Sequence, residues 1–395
     1  MQNLCVALLP MAVMLFSSPL SEGLATATEP ATPLRPEQDY TGERSKLVKY
    51  DVDFSVVVTP PYHAKVLNVW VPLPQSDAGQ EIRDRRITTF PMQVEPEIAT
   101  EPVYGNEFAY FEFHEPKGAQ MIRHRFTAQV WEMSWDVNPE RVSVPDAWPQ
   151  SFGLYLRDVD GLAKRQDFRA LLQEMGANNK PRTDALFASM NWIDNNLSYN
   201  HVNASLKASA EHAFDQRQGH CSDYHGLCAT IGRSLGVPTR VAYGLNLFPK
   251  NSPSHCKLEA FLPPYGWVSF DLSETQKLLA RIEESSELDS EQELRLKTLA
   301  WERLKRGFRD NTWLAVTRGT DYELVPKASQ PVHVVRTIYA EADGEPLPDP
   351  DPANIEKRGF AWMTIHDYKP DRRVTYPFKD VSTLEEFDDR ISDAE

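Results

Sequence analysis

Gly219-His220-Cys221-Ser222-Asp223-Tyr224-His225-Gly226-Leu227-Cys228-Ala229-Thr230-Ile231-Gly232-Arg233-Ser234-Leu235-Gly236-Val237-Pro238 is the stretch on which the fold turns. Tyr224, Leu227, Cys228, Ile231 and Leu235 fall at i, i+3, i+4, i+7 and i+11, which predicts a helix with one apolar face. Gly236 and Pro238 supply its stop. Cys221 then lies in the first turn, where the positive end of the helix dipole favours a thiolate able to attack an acyl carbon. Cys228, on the apolar face, reads as a packing residue.

Three short strands are expected after the helix, over 239–245, 257–262 and 267–272, with Pro263-Pro264-Tyr265-Gly266 turning the last pair. The alternation of side chains places His255, Lys257, Glu259 and Phe261 on one face, and Cys256, Leu258, Ala260 and Leu262 on the apolar one. Asp271 faces with Ser269 and Trp267. If Phe261 pairs with Trp267, the two polar faces coincide and His255 lies diagonal to Asp271, about 7–8 Å away between backbones. Pairing Leu262 with Trp267 instead would separate them. The favourable register makes His255 a base for Cys221 and Asp271 the group that orients its ring. Trp267 and Glu259 are open between packing and site roles, while Arg240 reads as a structural ion pair.

Upstream, Val48, Tyr50, Val52, Phe54, Val56 and Val58 alternate strictly, as a half-buried strand does. Further strands are expected over 66–71, 108–113 and 122–131, and residues 46–136 read as an antiparallel, sandwich-like β domain. Leu186, Met190, Ile193 and Leu197 predict another amphipathic helix. Residues 275–308 read as a charged surface helix, and the segments 313–317, 321–326 and 332–339 as strands closing the catalytic sheet. The fold class is therefore α+β, with a catalytic domain over 145–342 following the β domain. Residues 343–395, rich in Pro and acidic groups, read as an extension.

Several motifs in a fixed order carry a family resemblance. These are Gly219 to Tyr224, then Leu235-Gly236-Val237-Pro238-Thr239-Arg240-Val241 with Gly244, then His255 with Glu259, then Gly266-Trp267-Val268 and Asp271. Together they resemble the core of the transglutaminase-like superfamily, over about residues 180–275. The resemblance implies a papain-like α+β core with Cys221 as nucleophile, His255 as base, Asp271 as orienter and an acyl-thioester intermediate. It further implies protein cross-linking, peptide or amide hydrolysis, or deglycosylation as the range of activities. Lys257 departs from the pattern, where an aromatic residue is common, and so does His225, where a small one is common.

The 395 residues carry a net charge of −15, with no block of Lys or Arg, which argues against a nucleic-acid partner. The apolar run from Leu4 to Phe16 and Ala25-Thr26-Ala27 predict an export signal over 1–27, followed by a linker over 28–45. The chain is expected to be exported and periplasmic, with a short N-terminal membrane anchor as the other reading. Loss of Cys5 with the signal leaves Cys221, Cys228 and Cys256, an odd set, so at least one thiol stays free. The spacing of these cysteines with His220, His225 and His255 fits no zinc signature, and no calcium loop occurs, so no metal or cofactor is expected. A second oxyanion donor is sought among Tyr199, Gln216 and Gln218. The expected function is cysteine-dependent acyl transfer through a thioester on a peptide or carboxamide substrate, with the cell envelope as a candidate source of substrate and hydrolysis favoured over cross-linking. The alternative is a non-catalytic envelope binding or assembly protein that keeps the fold.

Overall fold

A computed structural model describes residues 1, 33–177, 179–250, 252–348 and 361–392. The expected export signal from residue 2 onward, and residues 349–360 of the expected extension, lie outside that set. The account below concerns the unit that begins at Arg35.

The alternating apolar pattern from Val48 becomes strand β1 (Glu43–Val58), whose inward residues Val48, Tyr50, Val52, Phe54, Val56 and Val58 are all buried. It is followed by β2 (Val66–Leu73), β3 (Gln80–Phe90), β4 (Glu97–Thr100), β5 (Glu107–His114) and β6 (Gln120–Ser134). β3 escapes the alternation rule because its centre, Arg83 to Arg86, is exposed and charged, so no apolar stripe betrays it. Phe54, Val56 and Val58 of β1 meet Leu67, Val69 and Val71 of β2 and Phe111 and Phe113 of β5 in one core, so two sheets pack face to face.

A helical layer comes next: α1 (Gly153–Leu156), α2 (Gln166–Glu174), α3 (Arg182–Asn196), α4 (Ala210–Gln216) and α5 (Cys221–Ser234). Between them, β7 (Ser198–Tyr199) and β8 (Gln218–Gly219) pair in parallel. Then follow β9 (Thr239–Asn246), β10 (Ser254–Leu262), β11 (Gly266–Phe270), α6 (Leu272–Glu283), α7 (Ser290–Lys305), β12 (Phe308–Arg309) and β13 (Trp313–Arg318). The chain closes with β14 (Tyr339–Ala342), β15 (Glu345–Pro346), β16 (Trp362–Pro370) and α8 (Ser382–Ser392). The catalytic sheet is antiparallel, in the order β11-β10-β9-β13, with α5 laid across β9 and β10.

In the β10–β11 hairpin Phe261 pairs with Trp267 and Leu262 with Gly266, which is the register that puts His255 and Asp271 on one side. That side is not a solvent face. His255, Lys257 and Glu259 are as buried as Cys256 and Leu258, because ion pairs and the preceding β domain cover them.

Three expectations are corrected. Residues 321–326 form no strand, only a single bridge between Tyr322 and Val332. β14, from the end of the segment expected to close the catalytic sheet, pairs instead with β2, where Tyr339 packs on Trp70 with ring centroids 5.6 Å apart. A period of two marks a strand but not its sheet. Finally, β16 pairs along β1, and Leu384 and Phe387 of α8 pack on Leu278, Ile282 and Leu299 of α6 and α7. The charged stretch 275–308 is thus two helices with a shared apolar seam.

Candidate active site

Gly219 and His220 fix the start of α5. A Cβ on Gly219 would lie 2.5 Å from Asp223 Cβ, so only glycine allows the chain to pass so close to the helix. His220 is the N-cap: its Nδ1 accepts from the Ser222 amide at 3.2 Å, while Asp223 Oδ2 accepts from the His220 amide at 3.1 Å. This reciprocal cap fixes Cys221 at the first helical position. Asp223 also holds Ser205 through its hydroxyl and its amide, which ties the loop before α4 to the same turn.

His255 Nε2 donates to Asp271 Oδ2 at 2.8 Å, and both residues are buried. Asp271 sits one residue beyond β11 as the N-cap of α6, its Oδ1 accepting from the Glu274 amide at 3.1 Å. The other imidazole nitrogen, Nδ1, is buried and closes no hydrogen bond. It belongs to the ring that lines one cavity with Cys221, where each group shifts the other's protonation. Loose geometry at this contact is usual in unliganded sites. The cavity, lined also by Tyr199, His201, Lys250 and Cys256, encloses about 20 Å³, room for one water molecule.

The electrostatics favour an ion pair. Cys221 is held well below a thiol's ordinary value, first by a hydrogen bond from Cys256 and then, against its burial, by the His255 charge. Burial drives the Cys256 thiol well up, so it keeps its proton and donates it. For His255, burial pulls down but the Asp271 carboxylate outweighs it, and the imidazole sits above its ordinary value. Burial would push Asp271 up, yet His255 and Lys257 together hold it well below the carboxylate range. His225 is neutral because burial lowers it to about 4. Its Nε2 accepts from the Leu272 amide at 3.2 Å, leaving Nδ1 to meet Cys256 Sγ at 3.6 Å.

The sequence reading placed Cys221, His255 and Asp271 here, and the structure brings all three together. Of the three oxyanion candidates, Tyr199 lines the cavity beside Cys221. Gln218 is occupied by Asn200 and Asn203, at 3.0 and 2.9 Å, and Gln216 ends α4 in solvent. Glu259 is a buried partner of Arg240 at 2.6 Å, and Trp267 stacks on that guanidinium 4.0 Å away, so both are structural. Cys256 and His225 were not foreseen as site residues. Cys256 was assigned to the packing face, which is correct, but that face is the one α5 covers and so it faces Cys221.

A cysteine at a helix start, beside a histidine and a carboxylate on an antiparallel sheet, is an arrangement whose chemistry suits a thiol nucleophile. Residues 169–272 match the family model of the transglutaminase-like superfamily. The fold is similar to the crystal structure of a candidate cysteine protease from Cytophaga hutchinsonii, with a TM-score of 0.57 and 14% identity over 87% of this chain and 97% of that one. A curated uncharacterized protein of Haemophilus influenzae is 23% identical over 162 residues. That match spans 35% of this chain and 42% of the relative's length. The chain therefore carries a core of the kind used by cysteine-dependent enzymes of this superfamily.

Proposed function

We propose that the chain is a cysteine-dependent acyl-transfer enzyme acting on peptide or carboxamide substrates, with water as its usual acceptor. The observation that carries this reading is that Cys221 and His255 line one small cavity, with Asp271 hydrogen-bonded to the far nitrogen of the His255 ring. In the first half-reaction the Cys221 sulfur bonds to the carbonyl carbon and the carbonyl oxygen takes the electron pair. The Cys221 amide, at the start of α5, would donate to that oxygen. The oxyanion collapses, the C–N bond breaks, and the leaving amine takes the proton from His255. In the second, His255 removes a proton from water, the resulting hydroxide attacks the thioester, and the sulfur leaves as the thiolate while the carboxylic acid departs. Asp271 holds the imidazole in the tautomer that both steps need.

Export to the periplasm is part of the proposal and rests on the N-terminal sequence. An exported enzyme meets envelope proteins and cell-wall peptides, which makes these the substrates to try first. The test is a labelled-peptide library incubated with and without a primary amine, read by the mass change on the donor. Turnover that requires Cys221 and yields the hydrolysed donor even with amine present supports the reading. Amine incorporation would reassign the acceptor. Labelling of Cys221 by iodoacetamide at pH 6 no faster than that of buried Cys228 would favour the binding-protein alternative.

A further inference from the structure

Lys257 occupies the position where the sequence departs from its family, and the structure gives it two carboxylates. Its Nζ is buried and donates to Asp271 Oδ2 at 2.6 Å and to Asp310 Oδ2 at 2.7 Å. The Asp271 oxygen it touches is the same one that accepts from His255. Asp310 is itself fixed, because its Oδ1 accepts from the Thr312 amide at 3.0 Å and from the Thr312 hydroxyl. It is placed by β12, which pairs with β6 of the sandwich. Cys221, His255, Asp271, Lys257 and Asp310 thus form a row in which charge alternates once the thiolate and imidazolium exist.

We propose that Lys257 is a positioning residue that acts through Asp271, keeping that carboxylate ionised and aimed at His255, and that Asp310 balances it so that its charge does not expel the proton from His255. The inference rests on the acyl-transfer reading of the same site. Without Lys257, Asp271 and Asp310 would be two buried like charges, and the proton that Asp271 would then take up ends its hold on the imidazolium. Without Asp310, the whole charge of Lys257 would fall on Asp271 and oppose the imidazolium. Either change disfavours the thiolate–imidazolium pair relative to the neutral thiol and imidazole. Removing both leaves Asp271 alone with His255, and the pair recovers.

Other charges bear on the row. His255 is faced by Cys221 and His225 of α5, by Asp271 and Glu274 at the start of α6, and by Lys250. Asp310 is faced by Lys257, by Tyr50 of β1, by Glu132 of β6 and by Arg303 of α7. Lys257 also faces His225, and its Nζ lies 5.0 Å from the Phe378 ring and 5.3 Å from the Trp313 ring.

The experiment is the pH dependence of iodoacetamide alkylation at Cys221 in the full chain, followed by mass spectrometry, for the parent, Lys257→Met, Asp310→Asn and the double variant. Each single change is expected to raise the midpoint by on the order of one pH unit, and the double change to return it to the parent value. A purely structural role would alter melting temperature in the singles and leave every midpoint at the parent value, which overturns the inference. Should Lys257→Met not fold, Asp310→Asn decides alone, since it keeps the shape of the side chain: a raised midpoint supports the inference and an unmoved one ends it. If Cys221 of the parent labels no faster at pH 6 than an ordinary thiol, the acyl-transfer reading itself fails, which is a different result from unmoved midpoints in a reactive protein.

Discussion

Asp271→Asn tests the site with a change of one atom. The carboxylate accepts on both sides: Oδ2 from His255 and Lys257, Oδ1 from the Glu274 amide that caps α6. An amide offers one acceptor, so each orientation leaves a conflict. With its NH₂ toward Glu274, the cap is lost at a cost of about 1 kcal/mol. With its NH₂ toward His255, the ring must present an unprotonated Nε2 and carry its proton on Nδ1, the nitrogen that should receive the proton of Cys221. The thiolate then loses its counter-charge. An ordinary thiol of pKa about 8.5 is ionised in roughly one molecule in 300 at pH 6, whereas an ion-paired one is almost wholly ionised. A low-pKa thiolate is intrinsically less nucleophilic by about an order of magnitude, so the expected net fall in alkylation rate at pH 6 is about 10–30-fold. Turnover should fall further, by about 10³–10⁴, because the wrong tautomer also blocks proton transfer. The assay is timed iodoacetamide labelling at pH 6 and again near pH 9, where both proteins should react alike. Equal rates at pH 6, in a variant whose melting temperature matches the parent, would refute the coupling of Asp271 to Cys221 through His255.

Two further outcomes are expected. Glu259→Gln removes the buried charge that faces Arg240 at 2.6 Å and Arg318 at 3.9 Å and that accepts a hydrogen bond from the Tyr40 hydroxyl. Leaving two guanidinium groups so exposed to each other should cost about 3–5 kcal/mol, or about 4–6 °C in melting temperature for a chain of this size. Although burial opposes it, Arg240 and Arg318 hold this carboxyl below its ordinary 4.5 in the folded state. Its contribution is therefore complete above that value and lost as pH falls through the folded one, so the gap between parent and variant should narrow in thermal melts taken at successively lower pH below 4.5. Gly226→Ala would set a Cβ 2.3 Å from the Ala208 carbonyl oxygen, on a helix that cannot retreat because it is buried against the sheet. Overpacking of about 1–3 kcal/mol is expected, read as a lower melting temperature and faster proteolysis of the 205–209 loop, which must move to relieve the clash.

What the sequence disclosed divides along one physical line. Helix α5, its stop at Gly236, and the hairpin register follow from local rules, because a period of 3.6, a period of two and the length of a turn are all written in neighbouring residues. Cys221, His255 and Asp271 were legible for the same reason, since each is set by the end or face of one element. The partners of those elements were not. Nothing near Tyr339 says that β14 pairs with β2 over 250 residues upstream, and nothing in the acidic tail says that β16 lies along β1. Lys257 stood out as a departure from the family, but its meaning depended on Asp310, which reaches it from 53 residues away. Burial of the polar face was also hidden, since strand parity shows which side chains share a face and not what covers it.

The sandwich offered no chemistry in sequence, yet it bears on the charges of the site. Arg309 of β12 is fully buried, donates to Gln80 of β3 at 2.6 Å and meets Asp77, which also takes Arg318 at the end of β13. Gln80 in turn donates to the Ala315 carbonyl at 2.8 Å and accepts from the Ala315 amide at 2.8 Å, so one side chain of the sandwich is stitched into the edge strand of the catalytic sheet. Asp310 follows Arg309 directly. A shift of β12 against β6 would therefore move Asp310 relative to Lys257, and with it the charge that reaches His255 through Asp271. Because packed interiors resist small displacements, that distance is fixed by the sandwich rather than by the loop that carries Asp310. The β domain thus holds the far end of the row whose near end is the nucleophile.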